Sequence, residues 1–512
     1  MKKKVTLPVA AFDAVPSLEQ LAEVAISVAR AAPAGVDAVG VPVATDGNVP
    51  KSLGLDRATL AAAGFEGKVG QALLVPKADG PLLVAVGVGR AGKANASALR
   101  DAGAAFARTA GRATRLATSL VDAGGAKADV AAQAVVEGVL LARYRYDALK
   151  GVPTGVPVEA IVLVAAANRA EAVTAGAERG RVLAAAGALA RDLANAPPKH
   201  MTAERMAEVA ARIAKQQGLG IEIFDRDAIA QLGLGGLLGV NAGSVEPPRM
   251  VRLTYQPKGR KAGGHLIFVG KGLTYDSGGI NIKPRDAMHA VMKMDMSGAG
   301  AVLAAMAAIP RLGCKSTVTA YLMCTDNMPS GSATKMGDVL TQRGGTTVEI
   351  NNTDAEGRLA LADGLALAAE QNPDAIVNIG TLTGACMLAL GDQIAGVFTN
   401  HQGFVEQVKA AAERTDESVW QLPLDRRYKK QLESVVADME NMGDAAPGAI
   451  TAALYLAEFV GDIPWAHLDI CGPMKVDADE SWRSKGATGF GARLLAELAV
   501  GFVPPEGRAR DR

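Results

Sequence analysis

The chain has 512 residues, 49% of them hydrophobic and 21% charged, and its 54 basic and 53 acidic side chains leave a net charge of +1. That length suits two or three domains with full cores, and the balance excludes a disordered tail protein or a general polyanion binder. Five histidines and four cysteines are scattered without an H-x-x-x-H, H-E-x-x-H or C-x-x-C, so zinc fingers, His-based metalloproteases, thioredoxin-like motifs and a disulfide framework find no support.

In chain order, Met1–Lys4 followed by Val5–Phe12 has the charged-then-apolar order of a signal peptide, but Pro8 interrupts the apolar run and Asp13 closes it. No leader is expected. Runs 37–45, 81–89 and 160–166 then read as strands, and 97–111 and 127–142 as alanine-rich helices. This is the pattern of a βαβ-type domain with a mixed or parallel sheet. Residues 1–150 carry 18 basic against 13 acidic side chains, too scattered to form a nucleic-acid face.

Residues 171–195 read as one long alanine-rich helix, stopped by Ala196-Pro197-Pro198 because a helix rarely passes such a pair. A second α/β region follows, with a helix over 203–217, a strand over 221–224, the Gly-rich segment 232–243, and strands over 250–255 and 265–270. The expected division is an N-terminal domain over 1–168, a linking helix over 169–198, a catalytic domain over 199–503 and a polar, mobile tail over 504–512. Arg or Asp cuts every alanine-rich run short of ~20 apolar residues, so no membrane span is expected.

Gly87, Gly89 and Gly92 match G-x-G-x-x-G between a predicted strand and helix. The next strand-like run, 114–121, reaches its acidic residue, Asp122, only thirty residues past Gly92, so a tight turn that needs glycine is the favoured reading. No G-x-S-x-G nucleophile elbow is present.

The dense chemistry lies between Val269 and Arg358. Glycines around Lys271 and Asp276 imply that both project from a loop after a strand, where α/β enzymes place ligand-binding groups. Lys283 and Asp295 follow, and a strand over 348–351 runs into Asp354, Glu356 and Arg358 ahead of a helix over 359–369. Asp354 and Glu356 are two apart, so an extended backbone would point both the same way. One such residue is ordinarily a solvated charge; four carboxylates with three basic residues at glycine-marked strand ends are not. Such a set suits hard or borderline divalent ions, Mg, Mn or Zn, and two ions sharing carboxylates can activate a water and hold an oxyanion.

The run Asn352-Thr-Asp354-Ala-Glu356-Gly-Arg358-Leu359 resembles the signature of the leucyl (cytosol) aminopeptidase family. Further blocks resemble that family in order: Lys271 to Gly279, Asn327-Met-Pro329, Gly337-Asp338-Val339, Thr381 to Ala385, Trp465 to Asp469 and Lys485 to Phe490, with 190–198 similar to its connecting helix. The resemblance implies an α/β fold of two domains: an N-terminal macro-like α/β domain joined by a long helix to a catalytic α/β domain with a central mixed sheet. It further implies a cytoplasmic metallo-aminopeptidase that assembles as a homohexamer, a dimer of trimers, and acts on peptides with Leu or another apolar residue at the N-terminus.

Residue by residue, the resemblance assigns one metal to Lys271, Asp276, Asp295 and Glu356 and a second to Asp276, Asp354 and Glu356, with Asp276 and Glu356 bridging. The ions would be Mn or Zn, with Mg or Co as alternatives. Lys283 would be the electrophile, and Arg358 would hold a bicarbonate acting as proton shuttle; its place at a helix start favours an anion on physical grounds too. Met292, Thr381, Gly384, Cys471 and Met474 would line the side-chain pocket. With no histidine inside the ligand motifs, the general base is expected not to be one. A nucleic-acid-binding or regulatory role through the N-terminal domain is the alternative, and a dinucleotide-dependent enzyme a third, weaker one.

Three departures from the family pattern stand out. Twelve steps separate Lys283 from Asp295 where eleven are usual, so the loop 285–291 carries an insertion that would reshape the pocket edge. Lys335-Met336 precedes Gly337-Asp338 where Arg-Pro is usual, an expected loosening of that turn. Asn378-Ile-Gly380 replaces Asp-x-Ala, removing a charge near the site.

Overall fold

Valine- and leucine-rich runs flanked by alanine-rich helices build the first sheet. The computed structural model describes residues 12–77, 79–259 and 263–508. The segment considered as a leader lies outside the described residues through residue 11. Six strands run in the order Ala25–Ala29, Ala160–Val164, Arg115–Thr118, Ala38–Val43, Leu82–Gly87 and Ala72–Val75, and all neighbours are parallel except the last pair. The alanine richness has a packing reason. A Cβ on Gly138 would lie 2.1 Å from Arg100 O and one on Gly176 would lie 2.0 Å from Asp129 O, so helices Ala96–Thr109, Ala128–Ala142 and Ala170–Asn195 approach backbone to backbone. Gly89 and Gly92 have φ of 75° and 68°, the left-handed turn that the bland reading of G-x-G-x-x-G requires.

The helix Ala170–Asn195 runs from the first sheet's helices to the second sheet's, and ends at Ala196 before the two prolines. Near its end Arg191 is fully buried and donates to three main-chain carbonyls from both sides, Leu141 O at 2.9 Å, Thr488 O at 2.9 Å and Trp482 O at 3.2 Å. Glu137 joins Arg100 at 2.8 Å and Arg493 at 2.7 Å, all buried, across the same junction.

The second sheet has eight strands in the order Val419–Gln421, Ala395–Thr399, Trp465–Asp469, Ala375–Gly380, His265–Asp276, Thr317–Asn327, Arg249–Tyr255 and Gly220–Phe224. The four central strands are mutually parallel, so Asp469, Gly380, Asp276 and Asn327 end side by side at one edge. Ligand sites in open α/β sheets form at such carboxyl ends. The sheet is mixed, with antiparallel neighbours toward both sides.

The helical stretch Ala287–Ala308 is long and apolar enough by composition to cross a membrane, with Lys293 and Asp295 cutting its apolar run. Most of it is buried, and a 3-10 turn at Met292–Met294 interrupts it, so it packs as a core element against the sheet. The described part of the C-terminal tail is held to the body, with Arg508 donating to Asn372 Oδ1 at 2.5 Å and to Pro373 O at 3.4 Å.

Candidate metal centre and its cleft

Strand His265–Asp276 extends six residues beyond the predicted 265–270, and this corrects the loop expected around Lys271 and Asp276. Both sit on the strand itself. Leu273 pairs with Thr325 and Asp276 with Asn327, so this strand advances three residues where its partner advances two. The extra residue is a β-bulge, and it restores a common face for two side chains whose spacing of five would otherwise put them on opposite faces.

Lys271 is buried, and its Nζ donates to Thr381 O at 2.8 Å while pairing with Asp295 Oδ1 at 2.9 Å and Glu356 Oε1 at 3.0 Å. Asp276 accepts through Oδ1 from Gly278 N and Asn327 Nδ2, both at 2.9 Å. Its Oδ2 faces Lys283 Nζ at 2.8 Å, and that ammonium also reaches Asp354 Oδ1 at 2.6 Å. Thr381 Oγ1 donates to Asp295 Oδ1 at 2.5 Å. Gly278, with φ of 88°, lets the chain turn where a Cβ would meet Asn281 O at 2.4 Å.

Asp354 and Glu356 converge for a different reason from the one expected. The strand ends at Glu349, residues 351–356 form a turn, and Glu356 is already in helical conformation as the cap of helix Gly357–Glu370. Two asparagines clamp that turn. Asn441 follows the short strand Met439–Glu440, which pairs with Thr347–Glu349; its Oδ1 accepts from Asn351 N at 3.0 Å and its Nδ2 donates to Asn352 O at 2.7 Å. Asn281 Oδ1 accepts from Thr353 N at 2.8 Å. One carboxylate oxygen each of Asp276, Asp354 and Glu356 thereby comes within 4.8 Å of the others.

The electrostatics are those of a site short of positive charge. Four carboxylates share two lysines. Burial pushes Asp295 up to about 8, with the attraction of Lys271 only partly offsetting it. Burial, reinforced by Glu356 and Asp276, pushes Asp354 up to about 6. Glu356 is instead held below its ordinary value, because Lys271 and Lys283 outweigh its burial. Burial works against the charged form of both lysines, yet the surrounding carboxylates hold them above the usual lysine range. Asp295 Oδ2 and Glu356 Oε2 are buried without a hydrogen-bond partner among the described residues. Unpaired buried carboxylate oxygens are costly, and a set of hard oxygen donors with surplus negative charge fits divalent cations.

A cleft of about 270 Å³ opens beside this cluster. Of the residues singled out from the sequence, Lys271, Asp276, Lys283, Met292, Asp295, Asp354, Glu356, Thr381, Gly384, Cys471 and Met474 all line it. Arg358 does not. It is buried behind Glu356 at the start of its helix, donates from Nη1 to Asn441 O at 2.8 Å, and has no partner for Nε among the described residues. Sequence reasoning did not assign the orienting residues Asn281, Asn327 and Asn441, nor Met288, His289 and Met387 in the cleft wall. The inserted loop was the one available signal, and it does supply Met288 and His289.

The other two departures resolve differently. The turn at Lys335–Asp338 is closed, with Asp338 Oδ2 accepting from Lys335 N at 2.8 Å and Nζ at 2.9 Å, and Gly337 N donating to Ile350 O at 2.7 Å. Asn378 does not line the cleft. It is buried within its strand, accepting from Trp465 Nε1 at 2.8 Å and donating to His467 Nδ1 at 2.9 Å.

Residues 188–496 match the model of the cytosol aminopeptidase family's catalytic domain, and residues 51–153 that of its N-terminal domain. The chain is 44% identical over 456 residues to a probable cytosol aminopeptidase of Streptomyces avermitilis, covering 86% of this chain and 88% of that one. It is 46% identical over 387 residues to a probable cytosol aminopeptidase of Chlorobaculum tepidum, covering 73% and 76%. Among solved structures, the bottromycin maturation enzyme BotP in complex with Mn superposes with a TM-score of 0.83 at 38% identity, covering 91% of this chain and 99% of BotP. A tomato leucine aminopeptidase mutant superposes with a TM-score of 0.83 at 29% identity, covering 93% and 96%.

Proposed function

The chain belongs to the cytosol aminopeptidase family, and on that premise we propose that its carboxylate and lysine cluster holds two divalent ions for removing the N-terminal residue of peptides. The coarser statement, a metal-dependent aminopeptidase, follows from the family. The observation that carries the finer one is the buried, carboxylate-rich cluster with Asp295 Oδ2 and Glu356 Oε2 unpartnered among the described residues, at a cleft whose other wall holds Met292, Met387 and Met474.

In this reading Lys271, Asp276, Asp295 and Glu356 hold one ion, and Asp276, Asp354 and Glu356 the other. Bound ions of this kind, Mn or Zn with Mg or Co as alternatives, supply Lewis acidity and a water of lowered pKa. The chain's own residues do the rest. Thr381 and Asn327 fix the carboxylates of Asp295 and Asp276 through the hydrogen bonds described above, and such partners set how ligands are aimed. For Lys271 to act as a ligand it must lose its proton, which a neighbouring dication favours. Lys283, partly exposed at the cleft, is the donor for the scissile carbonyl oxygen as negative charge develops there.

The carboxylate-lined end of the cleft takes the substrate's free α-amine, restricting the cut to the first peptide bond. Met292, Gly384, Cys471 and Met474, with Thr381, take the side chain of Leu or another apolar residue. Arg358 is the residue to hold bicarbonate. Its Nε, unpartnered among the described residues, and its position in the first turn of a helix support an anion there, and bicarbonate would supply a proton acceptor where no histidine stands among the proposed ligands.

A cytoplasmic homohexamer completes the proposal. Exposed apolar side chains at Leu388, Val435 and Val436 support an assembly that covers them. No specific observation favours the nucleic-acid alternative. The test is Leu-p-nitroanilide hydrolysis by Glu356→Ala and Asp276→Ala: both are expected to be inactive and folded, and full activity in either overturns the proposal.

A further inference from the structure

The longer loop between Lys283 and Asp295 brings one histidine into the cleft, and its anchoring is specific. Asp286 Oδ1 caps the short helix Ala287–Val291, accepting from Met288 N at 2.9 Å and His289 N at 3.2 Å. The ring is held separately, with Tyr275 Oη 2.9 Å from His289 Nδ1. Tyr275 precedes Asp276 on the bulged strand but does not line the cleft, whereas His289 does. The ring is therefore pinned from behind through Nδ1.

That anchor also sets the proton. The tyrosine hydroxyl makes no other hydrogen bond to the protein among the described residues, and we assign it as the donor to Nδ1. An imidazole that accepts at Nδ1 carries its hydrogen on Nε2. Nε2 makes no hydrogen bond to the protein among the described residues. Of the charged groups that line the cleft, Lys271 pairs with Asp295 and Glu356, Lys283 pairs with Asp276 and Asp354, and Asp286 caps the helix that carries His289. The remaining wall is soft and apolar, with Met288, Met292, Met387, Met474 and Cys471. An N–H is thus offered to a side chain that lies against the methionine-lined part of the wall.

We propose that His289, oriented by Tyr275, is a substrate-contacting residue that favours N-terminal residues whose unbranched apolar stem ends in a neutral acceptor oxygen, such as the side-chain carbonyl of glutamine. Tyr275 acts through it as a positioning residue. This rests on the aminopeptidase reading and adds to it a preference that an apolar pocket alone does not provide.

The experiment compares kcat/KM for glutamine p-nitroanilide with that for norleucine p-nitroanilide, a side chain of similar length without the acceptor. In His289→Leu the Gln/norleucine ratio is expected to fall roughly two- to tenfold, the worth of one neutral hydrogen bond. Tyr275→Phe should lower it in the same direction by less, and His289→Gln, which keeps a donor near the Nε2 position, should retain most of it. An unmoved ratio in both His289→Leu and Tyr275→Phe overturns the inference alone, as does an equal loss on both substrates. A wild-type enzyme that cleaves neither anilide overturns the aminopeptidase reading and this inference with it.

Discussion

Acid should destabilise this protein through His467. The imidazole is fully buried on strand Trp465–Asp469, stacked against Phe398 at 6.1 Å and Trp465 at 6.3 Å between ring centroids. Its one hydrogen bond to the protein is accepted at Nδ1 from Asn378, and Nε2 is unpartnered among the described residues. Burial pushes its pKa from 6.5 down to about 3, and the charge of Arg358 acts in the same direction. Between those values the unfolded chain binds a proton that the folded chain refuses. Stability from this group is therefore complete above pH 6.5 and lost as pH falls toward 3. At about pH 4.5, roughly two units below the unfolded value, the loss is about 3 kcal/mol at ~1.36 kcal/mol per unit.

His467→Phe keeps an aromatic ring in the stack and removes the titrating group. At neutral pH it strands the Asn378 amide, at a cost of about 1–3 kcal/mol. The signature is a crossover: the variant is less stable at neutral pH yet loses about 3 kcal/mol less on acidification to about pH 4.5. Urea unfolding followed by tryptophan fluorescence at the two pH values measures both quantities. An identical pH dependence in wild type and variant would refute the reasoning.

Two further predictions concern the cluster. In Gly357→Ala the new Cβ would lie 2.5 Å from Lys271 Cε and 2.7 Å from its Nζ. Displacing that side chain is expected to lower kcat/KM by about 10²-fold while the melting temperature stays near wild type. Asn327→Leu removes the donor to Asp276 Oδ1 and to Thr353 O at 3.0 Å. It should weaken Mn affinity about 10- to 100-fold in a calorimetric titration and lower stability by about 1–3 kcal/mol.

Much of the architecture is legible in the pattern of residues, because the strands at Leu82–Gly87 and Ala160–Val164 and the helices at Ala128–Ala142 and Ala170–Asn195 carry their own period and stop signals. Long-range pairing is what stays hidden. Lys271 and Asp276 stand out as chemistry-bearing, but the face they share depends on a bulge opposite Thr325 and Asn327, some fifty residues away on another strand. Asp354 and Glu356 stand out too, yet the period-2 argument for their convergence fails because the backbone there is a turn held by Asn281 and Asn441. Those asparagines, like Asn327, look in the sequence like ordinary turn residues, and only the fold makes them partners of the cluster. His289 is one of five isolated histidines, and only the longer loop around it marks its position.

The most direct test of the central claim is a metal count paired with activity. Chelator-stripped protein should be inactive toward Leu-p-nitroanilide. Adding back Mn, Zn, Mg or Co singly should restore turnover with at least one of them, and elemental analysis of the restored wild type should find two ions per chain. Glu356→Ala, which lacks one of the two proposed bridging ligands, should bind fewer ions and stay inactive. Full activity in the stripped enzyme, or two tightly bound ions per chain in Glu356→Ala, would contradict the account.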